Sequence, residues 1–324
     1  MVCERGAAQA RHQRRSNVSL ARERPFDSPG ETSRVTFLIQ PLALSSLLVT
    51  GDDRNSWLDS LLTAEVKELP SGRAIPALFL TKQGKIQAEV LVLSSPRGTE
   101  VAHTENEGLI EELDRYLVME DAELAPGGAH FFALLGSVPD QLAAEVSGLC
   151  FEYVPLGPEG RLLWTLVDEA RVLEVAAALG GVKDEVAFDS ARVQVGWARA
   201  GVDFGPEDNP QEAGLEGSHV SFKKGCYLGQ EVVCMQEMRG KVKRRVARLE
   251  ASGPLSVGQV ILNAEGQEIG KVTSASGSRG LARIKAPAYV AGTEVRVGEV
   301  SARVSPLQLG VPWDKATSPG ILNA

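Results

Sequence analysis

The feature that most constrains this chain lies past Lys241, where apolar runs become short, alternating and separated by glycine turns. Such runs occur at 245–251, 259–263, 268–274, 281–284 and 294–304, with turn signals at Ala264-Glu265-Gly266 and Gly298-Glu299. No helical period survives here, so these strands have no helix of their own to cover an open edge. Closing on themselves removes the edges, and the spacing predicts a small antiparallel β-barrel over residues 241–310. Two Pro and two Gly punctuate residues 310–324, and 311–324 read as a tail.

Before the barrel, strand and helix patterns alternate. Residues 35–39 alternate like a strand, and Asp52 or Asp53 is placed to cap a helix carrying Trp57, Leu58, Leu61 and Leu62 on one face. Residues 77–80 and 86–93 read as two strands joined by the turn Lys82-Gln83-Gly84-Lys85. A second helix sets Leu109, Ile110, Leu113, Tyr116 and Leu117 on one face. Further strands fall near 131–134 and 162–167, with helices near 141–146 and 170–179. This predicts an α+β domain over 35–240 with helices on one side of its sheet.

Composition narrows the function. Hydrophobic residues are 43% of the 324 and charged ones 23%, enough for a sizeable core and against wholesale disorder. No apolar run approaches the roughly 20 residues of a bilayer span, so no membrane partner is expected. A net charge of −8 disfavours a general nucleic-acid coat, and no direct nucleic-acid contact is expected. Residues 1–34 set seven Arg against four acids without periodicity and read as a disordered basic extension. An upstream start that is not the natural one is a second reading, and a mitochondrial presequence, against which the four acids count, is a third. Cys3, Cys150, Cys226 and Cys234 match no zinc or iron–sulfur spacing, so no metal site is expected. They are too few for a disulfide framework. That points to a reducing compartment, the cytoplasm, or the mitochondrial matrix in a eukaryote.

One stretch stands out chemically. In residues 221–231, Gly225 and Gly229 bracket a loop, and from Gln230 the sequence turns helical. Cys226 falls just ahead of that helix start with Lys223 and Lys224 beside it, an arrangement that lowers a thiol pKa. A buried cysteine in a glycine-rich turn is the plainer reading. His219, seven residues earlier, is a conceivable partner for Cys226.

The run Lys224-Gly225-Cys226-Tyr227-Leu228-Gly229-Gln230-Glu231 resembles the K-G-C-Y-x-G-Q-E signature of the YgfZ folate-binding proteins, relatives of the glycine-cleavage T protein, an aminomethyltransferase. Weaker echoes extend the resemblance across residues 35–310. They lie at 51–66, at 80–86 (an L-T-x-x-G-K-I hairpin), at 192–196 with Gly201 (an R-x-E-x-G element), at Pro210 with 212–215, and at 270–274 (G-x-V-T-S). The resemblance implies a ferredoxin-like folate-binding region in two lobes, followed by the small barrel, with tetrahydrofolate in a central channel. It implies iron–sulfur client or assembly proteins as partners, and through them a link to tRNA modification. On the matching positions, Cys226 is the reactive or partner-contacting thiol and Lys224 assists it electrostatically. Tyr227, Gln230, Glu231, Gln194 and Glu89 form the folate-binding set, with Gln230 and Glu231 fixing the helix start.

Two departures bear on chemistry. Where the aminomethyltransferases carry an aspartate pair after the hairpin, this chain has Ala88 and Glu89. Where they hold the pterin with the carboxylate of R-x-E-x-G, it has Gln194, an amide without the charge for a bidentate pair. A basic run, Arg239-Gly240-Lys241-Val242-Lys243-Arg244-Arg245, is either a solvated linker or a counterpart for a folate's anionic tail. Three readings therefore stand: a folate-binding accessory factor in iron–sulfur assembly or repair, a folate-dependent aminomethyltransferase, and a scaffold without folate. Whether the chain is an enzyme stays open.

Overall fold

The computed structural model describes residues 36–104 and 108–307. The readings for 1–34 and 311–324, and Cys3, lie outside the described residues. The body contains two five-stranded sheets and a closed six-stranded barrel. One sheet is antiparallel throughout, in the order Ile75–Leu80, Ile86–Ser95, Gly98–Thr104, Leu44–Thr50, Glu123–Pro126. The other runs Gly181–Val182, Phe37–Pro41, His130–Gly136, Arg161–Thr165, Leu149–Glu152, with only the first pair parallel.

The two sheets share one apolar layer. Leu78, Leu80, Leu91 and Leu93 of the first sheet cluster there with Phe131, Phe151 and Trp164 of the second. The first sheet turns its other face, with Ala77, Phe79, Val90 and Val92, onto Trp57, Leu58 and Leu61 of the helix Arg54–Leu61. On the second sheet, Phe37, Ile39, Phe132 and Leu134 meet Leu142, Val172 and Val175 from the helices Gln141–Glu145 and Glu169–Ala178. Each sheet thus has helices on one side and the other sheet behind it. That double cover explains why Ile75–Leu80 is apolar at every position and buried at all six. Asp53 occupies the N-cap position of Arg54–Leu61 but does not cap it. Its Oδ2 instead accepts the Asp121 N–H at 2.9 Å.

The barrel forms where the glycine-punctuated runs place it. Its strands close in the order Arg244–Ala251, Arg279–Lys285, Glu268–Ser276, Val260–Leu262, Glu294–Val297, Val300–Ser305. Alternate residues such as Ala247, Leu249, Ala282, Ile284, Val295, Val297, Ala302 and Val304 fill the interior. Among the described residues no helix is long and apolar enough to cross a membrane.

Candidate functional site

The octapeptide folds as a latch. Lys224, whose side chain is 1% exposed, donates from Nζ to the carbonyls of Asp59 (2.5 Å), Leu62 (3.0 Å) and Ala64 (2.7 Å), with Asp59 Oδ1 at 3.1 Å. Three ammonium protons meet three carbonyls, those of Asp59 and Leu62 at the C-terminal end of Arg54–Leu61, which a helix leaves unsatisfied, and that of Ala64 just beyond it. Burial lowers the Lys224 pKa, and the Asp59 carboxylate only partly restores it. Its Nζ also lies 5.7 Å from the centre of the Tyr227 ring. Tyr227 is 6% exposed, and its hydroxyl has no hydrogen-bond partner among the described residues. Burial, and next the nearby Cys234, push that phenol up.

Gly229 caps the helix Gln230–Arg239 with φ of 80°. A Cβ there would sit 2.6 Å from the Thr81 carbonyl oxygen and 3.4 Å from Gly84 Cα. The hairpin turn and the helix start therefore meet backbone to backbone. Cys226 is exposed on the loop between Lys224 and this helix. Gln230 Nε2 reaches back to the Gly225 carbonyl at 3.4 Å, and the exposed Glu231 is the acidic residue of the first turn, favourable to the helix dipole.

Beside the hairpin lies a cavity of about 630 Å³, within the range of small-molecule sites. It is lined by Thr81, residues 86–89, Thr104, Ala200, Gly201 and residues 204–206. The strand pairing shifts register between Phe79 and Leu80, leaving Gln87 as the extra residue. Ile86 thereby joins the central layer, while Ala88 and Val90 pack on the helical side. Glu89 lines the cavity. It is not the solvated strand carboxylate its position suggests: its side chain is 12% exposed, and Oε1 lies 3.2 Å from Nε2 of the fully buried His219. Nδ1 of His219 lies 2.7 Å from Ser218 Oγ. Burial, and next the charge of Glu89, raise the Tyr153 phenol well above its ordinary value.

A second cluster fastens the barrel to this region. Arg192, 2% exposed, donates from Nη1 to Asp203 Oδ2 (3.0 Å) and the Trp197 carbonyl (3.1 Å), from Nη2 to Ser274 Oγ (2.8 Å) and from Nε to Asp189 Oδ1 (2.6 Å). Asp203 Oδ1 accepts from Thr273 (2.5 Å) and Ser274 (2.7 Å) of a barrel strand. The buried Asp208 accepts from Arg283 and, at 3.2 Å, from Arg244. Lys85 of the hairpin donates to the Glu207 carbonyl (2.7 Å) and Glu212 Oε2 (3.3 Å). Short motifs far apart in the chain are thus ligands of one another.

Of the seven residues singled out from the sequence, only Glu89 lines the cavity. Lys224 and Tyr227 lie in the latch behind the hairpin, with Gln230 and Glu231 at its helix start. Lys224 has its ammonium saturated by carbonyls instead of facing Cys226. Gln194 is exposed on the helix Glu185–Val195, its amide 3.4 Å from Ser190 Oγ. His219 pairs with Glu89 and Ser218, not with Cys226. Cys150 is exposed on its strand, not sunk in apolar surroundings, although desolvation still raises its thiol pKa. In the basic run, Arg244 is paired with Asp208 and Arg245 with Glu216. Sequence reasoning missed Asp203 and Asp208, acids in a short glycine-bounded loop that carries no periodic signal.

Paired sheets, a cavity carboxylate and a barrel held beside them define a protein with the T-protein fold. The crystal structure of the glycine cleavage system aminomethyltransferase T from Bartonella henselae matches with a TM-score of 0.72 over 86% of this chain and 88% of that one, at 18% identity. Residues 243–309 match the family model of the CAF17 C-terminal beta-barrel domain. By sequence the chain is a homologue of the YgfZ and IBA57 proteins. It is 28% identical over 264 residues to the mitochondrial iron-sulfur cluster assembly factor IBA57 of Mus musculus, covering 72% of this chain and 73% of the relative. It is 25% identical over 244 residues to the tRNA-modifying protein YgfZ of Yersinia enterocolitica, covering 65% and 72%. A putative chloroplastic transferase of Arabidopsis thaliana is 27% identical over 285 residues, covering 78% of this chain but only 66% of that relative, just under two thirds.

Proposed function

We propose that this protein binds a reduced folate, tetrahydrofolate in kind, in the cavity beside Glu89, and serves iron–sulfur cluster assembly or the tRNA modification that depends on it. The observation that carries the folate half is the carboxylate of Glu89, the one acid among the described residues that line the cavity, set beside the polar Thr81, Gln87 and Thr104 and walls that are otherwise apolar or small. A pterin ring is flat and presents adjacent N–H donors, and an ionised carboxylate is their charge-assisted acceptor. The walls leave room for the ring: a Cβ at Gly201 or Gly205 would meet nothing within 4 Å. Glu89 would hold the donor edge, with Thr81 and Thr104 offering hydroxyls. A bound tetrahydrofolate supplies one-carbon carriage. The residues of this chain bind and orient it and exclude water.

The iron–sulfur half rests on the IBA57 and YgfZ relatives, and Cys226, exposed on the latch loop, is the thiol we assign to contact with client proteins. A glycine-cleavage reaction is not part of this reading, because Ala88 leaves Glu89 without a carboxylate neighbour on its strand. The test is a titration of the full chain with tetrahydrofolate. Saturable one-to-one binding, weakened on the order of tenfold in Glu89→Gln, is expected. Absence of binding overturns the folate half. In cells lacking the protein, the parent should restore an iron–sulfur enzyme's activity and Cys226→Ser should not. Equal rescue by both overturns the thiol assignment.

A further inference from the structure

Glu89 is the polar focus of the cavity, yet the residue that sets its state lies outside it. His219 is fully buried, and its ring is held at both nitrogens, by Glu89 Oε1 at 3.2 Å and Ser218 Oγ at 2.7 Å. Its backbone is held as well: the His219 carbonyl accepts from Thr63 Oγ1 at 2.6 Å, and Thr63 Oγ1 accepts the Leu78 N–H at 2.8 Å. An ionised carboxylate only accepts, so Nε2 must carry the proton that bridges to Oε1. Nδ1 faces Ser218 Oγ, which also reaches the Leu215 carbonyl at 3.3 Å. The Nε2–H to Oε1 link is common to either placement of the Ser218 proton.

We infer that His219 is a positioning residue for the cavity: its Nε2–H ties Oε1 of the Glu89 carboxylate and leaves Oε2 as a single acceptor for a flat heterocycle with an N–H donor edge. The inference rests on the folate reading for the identity of that heterocycle. Oε2 has no hydrogen-bond partner among the described residues. The selected ligand class is neutral or weakly basic rings that donate, such as the 2-amino pyrimidinone edge of a reduced pterin. Rings that only accept are discriminated against, because they would face an ionised oxygen with no proton between them.

The test has two arms on the full chain. Nitrogen-resolved NMR of the His219 ring, assigned by its loss in His219→Gln, should show a proton on Nε2. Its Nε2 proton should be shifted by the carboxylate and lose that shift in Glu89→Met. Titration with tetrahydrofolate should give His219→Gln, whose amide can still donate to Glu89, within about twofold of the parent. His219→Leu should be weaker on the order of tenfold. A ring without a proton on Nε2, a ring unmoved by Glu89→Met, or equal losses in the Gln and Leu variants overturns the inference. If His219→Leu does not fold, the Nε2 proton and His219→Gln decide. If the parent binds no tetrahydrofolate, the folate reading fails, and the NMR arm alone decides whether His219 governs Glu89.

Discussion

Arg192 Nη1 lies 3.0 Å from Asp203 Oδ2, and neither side chain is more than 2% exposed. The pair joins the helix Glu185–Val195 to the loop that lines the cavity, and through Ser274 and Thr273 to a barrel strand. Removing one member of a buried, hydrogen-bonded pair leaves the other charge uncompensated, which costs about 3–5 kcal/mol. Arg192→Met should therefore lower the urea midpoint by that equivalent. Retention of parental stability would show that the cluster holds no barrel contact worth the name.

Lys224 and Cys226, two residues apart, should separate cleanly. Lys224→Met strips the ammonium from three carbonyls and from Asp59, and stability should fall by about 3 kcal/mol. Cys226→Ser, at an exposed position, should stay within about 0.5 kcal/mol of the parent. Chemical denaturation of both variants checks this. A stable Lys224→Met would return that lysine to a role at the thiol.

Gly229 tolerates no Cβ. Its φ of 80° is left-handed, and the added carbon would lie 2.6 Å from the Thr81 carbonyl oxygen. Gly229→Ala should cost at least about 2 kcal/mol. Part of the loss should appear as faster amide exchange in the hairpin 81–85. Unchanged exchange there would mean the helix start and the turn move independently.

His103 gives a pH dependence. It is 6% exposed, and burial lowers its pKa from 6.5, opposed by its bond to the Thr104 carbonyl. Below 6.5 the unfolded chain takes up a proton that the folded chain still refuses. Stability from this group is complete above 6.5 and declines as pH falls from 6.5 towards the folded value. His103→Gln should lose less stability than the parent between pH 7.5 and 5.5, measured by urea midpoints. A steeper loss in the variant contradicts the burial argument.

The three cysteines of the described region should differ in reactivity. Cys226 is exposed, whereas burial raises the thiols of Cys150 and Cys234. A limiting dose of alkylating reagent at neutral pH should label Cys226 first of the three by peptide mapping. Faster labelling of Cys150 would show that its exposed surface outweighs its desolvated sulfur.

Much of this molecule was legible in the chain because it is local. Glycine turns with alternating runs announced the barrel, and one-face leucines announced the helix Arg54–Leu61. The apolar run in Ile75–Leu80 marked a strand but not its two covers, since a sequence does not say which sheet lies behind another. The motifs at 80–86, 192–196, 212–215, 224–231 and 270–274 were also visible, though only as separate signatures. Tertiary structure alone decided that they are one another's partners: Lys85 with Glu212, Gly229 against Thr81, and Arg192 with Ser274. It likewise decided that Lys224 faces inward and that His219 meets Glu89. Those contacts span up to 165 residues, and no periodicity within a window of the chain encodes a meeting made by packing. Local spacing sets which face of an element is apolar. Only the closing of sheets and barrel around a shared layer determines which buried polar group finds which.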